Sequence, residues 1–189
     1  MTNLTSVDWS TIPAPEDDGA AGHLAGMTLP SVALAATDGG TVDLSALAGT
    51  TVVFIYPRTG RPDQELPDGW NMIPGARGCT PQACAFRDLH TELKALGVHH
   101  LFGLSVQDTD YQREAAERLH LPFPLLSDQA FELTDALNLP TFEAAGMRLL
   151  KRLTLLIRDG RIVQTFYPVF PPDGSADDVV AWLEAEQTA

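Results

Sequence analysis

Residues 51–56, TVVFIY, form an uninterrupted apolar and mostly β-branched run. A strand with one wet face alternates apolar with polar residues, so a run without alternation is expected of a strand buried on both faces. Such a strand needs neighbours on either side and cover above and below. The rest of the chain must supply both.

It does so in a regular order. "MTLPSVALAATDGGTVDLS" holds short alternating segments around TDGG, which predicts a hairpin before the buried strand. Beyond the cysteines, Phe86, Leu89, Leu93 and Leu96 recur at helical spacing, and Gly97 can end that helix. "HHLFGLSV" reads as a second buried strand. Thr109 and Gln112 have the capping-box spacing of a helix running to about His120. "FPLL" then predicts a short strand and "FELTDALN" a short helix. "LTLLIRDGRIVQTFY" predicts a hairpin turning at Asp159-Gly160, and Ser175 and Asp178 open a last helix carrying Val179, Trp182 and Leu183. Strands alternating with helices, then a late hairpin and a terminal helix, give an α/β class: a central mixed sheet with helices on both faces, in the order of the thioredoxin-like fold.

Two segments stand outside this pattern. Residues 1–26 are rich in Pro, Gly, Ala and acidic residues and read as a loosely ordered arm before a domain of residues 27–189. Residues 57–78 are dense in Pro and Gly and lack periodicity, so they form a long loop. Long loops inside compact domains are usually functional or disordered. Its cluster of Leu66, Trp70, Met72 and Ile73 is expected to pack onto the body, since a freely solvated loop has little use for such residues.

The length suits one domain with a sizeable core. A net charge of −13 argues against nucleic acid or an anionic membrane as partner. The first twenty residues have neither a basic start nor an apolar core, so no secretory signal is expected there. No apolar run approaches the roughly 20 residues that cross a bilayer. A reducing cytoplasm is the compartment these features suggest, and in it an isolated cysteine pair is catalytic or redox-sensing more often than structural.

The only two cysteines, Cys79 and Cys84, sit five positions apart in "GARGCTPQACAFRD". That spacing is too wide for a C-x-x-C redox pair, and no second pair completes a zinc site. His99-His100 does not suggest a metal, because adjacent strand residues point to opposite faces. No metal and no cofactor is expected. Cys79 falls at a helix entrance, where unpaired N–H groups and the helix dipole favour an anion, and Arg77 lies close in sequence. Five residues of regular helix rise about 7.5 Å, whereas a disulfide tolerates Cα separations up to about 6.8 Å. The two thiols can therefore join only if the first turn unwinds. Pro81 eases that, because it withholds an N–H from the turn and restricts Thr80.

"GCTPQACAFRD" after "FIYP", then "LPFPLLSD", then "KRLTLLIRDGRIV", resembles a peroxiredoxin of the alkyl hydroperoxide reductase and thiol-specific antioxidant family. The cysteine pair resembles the bacterioferritin-comigratory, or Q-type, branch. The resemblance implies a thiol-dependent peroxidase acting on hydrogen peroxide or small organic hydroperoxides through a sulfenic acid and an intramolecular disulfide. A thioredoxin- or glutaredoxin-like partner would reduce that disulfide, in a monomer or a homodimer. Cys79 takes the peroxidatic position, Cys84 the resolving one, and Arg152 that of the active-site arginine. Pro57 takes the position of the proline that shields the thiolate, and Gly78 joins it on the substrate side.

The chain departs from the family in one place. The family pattern sets a Thr or Ser three residues before the peroxidatic cysteine and a proline four before that; here Ala76 holds the hydroxyl's position and Pro57 lies 22 residues upstream of Cys79. Either residues 58–76 fold out as an insertion and Thr59 supplies the hydroxyl, or none is supplied. The departure keeps two other readings open: a thiol–disulfide oxidoreductase or redox relay with weak peroxidase activity, and a redox-sensing module whose disulfide switches a binding surface.

Overall fold

The computed structural model describes residues 7–188. Its sheet has seven strands in the order β2-β1-β5-β4-β3-β8-β9. These are β1 Leu34–Ala36, β2 Thr41–Val42, β3 Thr50–Ile55, β4 Val98–Ser105, β5 Leu125–Ser127, β8 Leu153–Arg158 and β9 Arg161–Phe166. Strands β3, β4 and β5 run parallel, and β8 lies antiparallel on the other side of β3. The helices are α1 Cys79–Asp88, α2 His90–Ala95, α3 Thr109–Arg118, α4 Glu132–Leu137 and α5 Ser175–Gln187. None of the described helices is long and apolar enough to cross a membrane.

The central run is buried as its composition requires, and its period of two sorts it between two cores. Val53 and Ile55 enter one core with Leu24, Leu133 and Leu137, while Val52, Phe54 and Tyr56 enter the other with Phe86, Leu93 and Val179. Helices therefore cover both faces: α4 and the arm on the first, α1, α2, α3 and α5 on the second. Phe54 stacks on Phe86 of α1 with ring centroids 4.6 Å apart, which fixes that helix against β3. A fully buried side chain of this size contributes about 1.5–3 kcal/mol. Gly103 of β4 leaves room for the stack, since a Cβ there would lie 2.6 Å from the Phe54 ring.

The hairpin turn at Asp159-Gly160 forms as expected, both residues having positive φ (47° and 75°). Other elements differ from the sequence expectation. The single helix from the cysteines to Leu96 is broken at Leu89 (φ −95°, ψ 8°) into α1 and α2. Periodicity misses the break because Phe86 and Leu93 stay on the same core face across it. Helix α3 is capped by Asp108, whose carboxylate accepts from the Tyr111 N–H, rather than by Thr109 and Gln112, and it ends at Arg118, short of His120. Gln112 is instead buried, donating to the Ser105 hydroxyl and the Leu126 carbonyl. A hairpin of β6 Thr141–Ala144 and β7 Met147–Leu150 forms a separate two-stranded sheet that the sequence reading left out.

Of the arm expected to be loose, residues 1–6 lie outside the described residues. The rest lies along the body. Leu24 is fully buried, the Trp9 ring meets Phe170 edge-on at 6.0 Å, and the Trp9 indole N–H donates to Asp173 at 2.9 Å. Asp18 ties the arm to the body, accepting from Lys151 and from the Tyr167 hydroxyl.

Candidate active site

Helix α1 begins at Cys79 because Gly78 turns the chain with φ 108°. Glycine is required there twice over. The left-handed backbone disfavours any side chain, and a Cβ would sit 2.6 Å from Pro172 and 2.8 Å from the Trp9 ring. Gln82 N–H donates to the Gly78 carbonyl at 3.0 Å, the first bond of the helix. Pro81 has no N–H, so the first-turn donors without an intrahelical partner are those of Cys79 and Thr80.

Arg152 reaches this turn from the end of β8. Strand alternation points Arg152, Thr154 and Leu156 to the face that carries α1 and α5. Arg152 as a whole is only 3% exposed. Its Nη2 lies 3.3 Å from Cys79 Sγ and 3.1–3.2 Å from the carbonyl oxygens of Gly75, Ala76 and Arg77. One nitrogen with two hydrogens thus serves four acceptors, so an incoming oxygen can take one of these bonds without leaving the others bare. No carboxylate pairs with Arg152 among the described residues. A buried cation costs several kcal/mol to desolvate, and the three carbonyls, the Gln82 carboxamide and the Cys79 sulfur are the acceptors the site sets against that cost.

Gln82 holds Arg152, with Ser175 and Thr154 behind it, and the sequence reading named none of the three as part of the site. Gln82 accepts from Arg152 Nη1 at 2.5 Å and donates through Nε2 to the Ser175 hydroxyl at 3.3 Å. Ser175 in turn shares a 3.1 Å hydrogen bond with Thr154. All four side chains are buried, so the network ties α1, β8 and α5 together. The available signal was Gln82 itself, a long polar side chain three residues after Cys79 on a helix whose neighbours face the core. Tyr56 also joins the core cluster around Cys79, and burial above all, with the Cys79 sulfur nearby, pushes its phenol well above the ordinary range. It stays protonated.

Thr59 is turned elsewhere. Its N–H and hydroxyl both donate to Gln107 Oε1, at 2.8 and 3.3 Å, and Gln107 Nε2 donates back to the Thr59 carbonyl at 3.1 Å. The Cys79 sulfur has Arg152 Nη2 and, at 3.8 Å, the Ala76 carbonyl as its hydrogen-bond neighbours. The Thr59 hydroxyl is not among them. Pro57 is buried two residues past the end of β3. Cys84 lies on α1, partly buried against the same core as Cys79, and both thiols are free. Burial pushes the Cys84 thiol above its ordinary value, and the Arg87 guanidinium offsets part of that rise.

The loop 57–78 folds back on the body and forms one wall of a cavity of about 500 Å³ with Cys79 in its lining. Trp70, in a short 3-10 turn, is 3% exposed and packs with Ile73, Ala76, Leu149 and Phe142 against the β6–β7 hairpin. Leu66 is exposed, against the expectation, and Met72 does not follow Trp70 either. At 64% exposure it faces away from the body, because a turn of three residues cannot present both ends of Trp70–Met72 to one surface.

A family model described as Redoxin matches residues 24–181. The chain belongs to the redoxin family. A chloroplastic peroxiredoxin Q from Populus jackii is 31% identical over 162 residues, which are 85% of this chain and 68% of that protein. The chain spans about two thirds of the length of such chloroplastic relatives. Among solved structures, the peroxidoxin BcpB of Mycobacterium tuberculosis matches with a TM-score of 0.68 at 27% identity, over 85% of this chain and 96% of that one. A peroxiredoxin Q of Xanthomonas campestris gives a TM-score of 0.67 at 26% identity, over 85% and 97%. These matches put the chain with the Q-type peroxiredoxins of the redoxin family and with their thioredoxin-like fold.

Proposed function

We propose that this peroxiredoxin, a thiol-dependent peroxidase, runs its whole cycle on helix α1. Cys79 is the nucleophile, Cys84 the resolving thiol, and hydrogen peroxide or a small organic hydroperoxide the substrate. The observation that carries this reading is the buried Arg152 guanidinium 3.3 Å from Cys79 Sγ at a helix start.

In the first step the Cys79 thiolate attacks one peroxide oxygen and the O–O bond breaks. The other oxygen leaves as water or an alcohol after taking a proton, and the sulfur becomes a sulfenic acid. Ground-state acidity contributes little to such a step. For any thiol, lowering the pKa from about 8.5 to about 6 raises the thiolate fraction at pH 7 about thirtyfold, yet the accompanying loss of nucleophilicity takes back about thirteenfold. The larger effect is donors aimed at the oxygens as their bond stretches. Arg152 Nη2 and the N–H groups of Cys79 and Thr80 are placed for that. With Ala76 lacking a hydroxyl and Thr59 held by Gln107, the positioning of peroxide falls to them.

In the second step the Cys84 thiolate attacks the sulfenic sulfur, the S–O bond breaks as the disulfide forms, and the departing hydroxide takes up a proton and leaves as water. Regular α1 keeps the thiols beyond disulfide reach, so its first turn must unwind, breaking the Gln82–Arg152 bond as it does. A thioredoxin- or glutaredoxin-like dithiol then supplies two electrons and two protons to restore both thiols. The cycle needs no second copy of the chain, so monomer and homodimer can both support it. A reducing compartment, which we take to be the cytoplasm, fits two thiols that begin free.

Stopped-flow mixing of reduced protein with hydrogen peroxide, followed by intrinsic fluorescence, tests the assignment. Cys79→Ser should not react. Cys84→Ser should react once and stop at a sulfenic acid that overoxidises readily. A reactive Cys79→Ser with an inert Cys84→Ser would invert the roles.

A further inference from the structure

Cations are scarce in this acidic chain, twelve Lys and Arg against 25 Asp and Glu, and most are neutralised. Among the described residues, Arg87, Arg113, Arg118, Arg148, Lys151 and Arg158 each pair with a carboxylate. Arg152 is committed to Cys79. Of the remaining five, three share one place: Arg58, Arg61 and Arg77 all line the cavity beside Cys79.

Arg58 and Arg61 are held there by neutral groups alone. The Arg61 guanidinium lies over the Tyr111 ring, 4.2 Å from its centroid, and that of Arg58 is 5.9 Å from the same ring. Arg58 also donates to the Tyr111 hydroxyl and to the Met147 sulfur, each at 3.4 Å. The Nε atoms of both arginines are buried and without a hydrogen-bond partner among the described residues. Glu65 lines the same cavity but is exposed and pairs with none of the three. Two like charges on one aromatic shelf, half-buried and without a counter-ion, repel each other until an anion joins them.

The cavity is also too large for the smallest substrate. Its volume of about 500 Å³ falls in the range of roughly 300–1,000 Å³ that holds organic ligands. Hydrogen peroxide is only one oxygen larger than water, whose share of liquid is about 30 Å³. Leu66 and Trp70 add apolar surface to the lining.

Resting on the peroxidase reading, we propose that the cavity selects an organic hydroperoxide with an apolar body and a carboxylate. Arg58 and Arg61 bind the carboxylate, Leu66 and Trp70 contact the body, and the O–O bond lies at Cys79 and Arg152. The terminal peroxide oxygen passes to the Cys79 sulfur as the sulfenic acid, the oxygen left on carbon takes up a proton, and the substrate departs as the corresponding hydroxy acid with its carboxylate unchanged. Residues 58–76, whose Thr59 hydroxyl is turned to Gln107, thereby supply the site that recognises the substrate.

The test compares oxidation of the reduced full chain by cumene hydroperoxide and by its para-carboxylate derivative. The carboxylated compound should react about tenfold faster or more, the scale of a charge-assisted contact, and added salt should shrink the ratio. Arg58→Gln/Arg61→Gln should bring the ratio toward one, while Arg61→Lys should keep most of it, which mere collapse of the loop would not do. The unreactive 4-isopropylbenzoate should perturb the tryptophan fluorescence of the unaltered protein and not of the double variant. Equal rates for the two peroxides, or a preference that survives in the double variant, would overturn the subsite. Failure of hydrogen peroxide to oxidise Cys79 would overturn the peroxidase reading instead, and the isopropylbenzoate titration would still decide the subsite.

Discussion

Gln82 Oε1 accepts a 2.5 Å hydrogen bond from Nη1 of Arg152, the same guanidinium whose Nη2 meets the Cys79 sulfur. Gln82 lies between the two cysteines on α1, so the posture of the arginine is coupled to the folded state of the helix. A hydrogen bond to a charged group contributes about 1.5–3 kcal/mol, or about ten- to a hundredfold in rate if spent on positioning. Gln82→Met, of similar size but without the acceptor, should slow oxidation by hydrogen peroxide about tenfold or more. Gln82→Glu restores an acceptor and should recover most of that loss. Equal defects in the two variants would reduce Gln82 to a packing residue.

Arg152→Lys keeps the charge and removes the fork. One ammonium cannot serve three carbonyls, a carboxamide and a sulfur at the angles the guanidinium spans. Peroxide oxidation should slow by about 10²-fold or more, the scale of losing one donor to a developing oxyanion. The Gly75–Arg77 turn should loosen with it, visible as faster amide exchange in residues 75–78. A lysine variant with nearly unaltered rate would show that charge alone suffices and would remove the case for directed donors.

The two apolar side chains that bound the short turn in the loop should behave oppositely. Trp70 is buried against the β6–β7 hairpin, and truncating a buried Trp costs about 3–5 kcal/mol. Because its cluster stands apart from the main cores, Trp70→Ala should appear as local opening of residues 58–78 in hydrogen exchange, ahead of global unfolding. Met72→Ala, at an exposed position, should change stability by less than about 0.5 kcal/mol. The reverse order would mean that the loop is anchored elsewhere.

What was legible beforehand follows from the range of each signal. The buried run of β3, the Asp159-Gly160 turn and the placement of both cysteines on one helix are written in adjacent residues, and all three are found. The β6–β7 hairpin turns at Ala145-Gly146, both with positive φ (50° and 73°). Alanine is a poor marker for such a turn, where Asn or Asp would announce it. The Asp108 cap was missed because Thr109 offers a competing pattern one residue on. The site's long-range partners left the weakest trace. Gln107 captures Thr59 and Gln82 captures Arg152 across 48 and 70 residues, through contacts that exist only once the sheet is assembled.

The disulfide-forming step should carry a pH dependence set by Cys84. Burial raises this thiol above its ordinary value, with Arg87 pulling it part of the way back. At neutral pH Cys84 is therefore protonated in folded α1, and only its small thiolate fraction can attack the sulfenic acid. That fraction grows about tenfold per pH unit until the thiol titrates. Stability acts in the same direction. Above the unfolded thiol's value the folded state holds a proton that the unfolded state has released, so rising pH weakens the folded helix around Cys84. Higher pH thus supplies the nucleophile and eases the unwinding that the reaction needs. After a pulse of peroxide, the slow fluorescence phase that reports disulfide formation should accelerate through pH 7 to 9 without levelling off, and Arg87→Ala should slow it at any given pH in that range. A rate that already bends over at about pH 8.5, where an ordinary exposed thiol is half ionised, would mean that Cys84 ionises as such a thiol, with the helix unwound before the proton is lost.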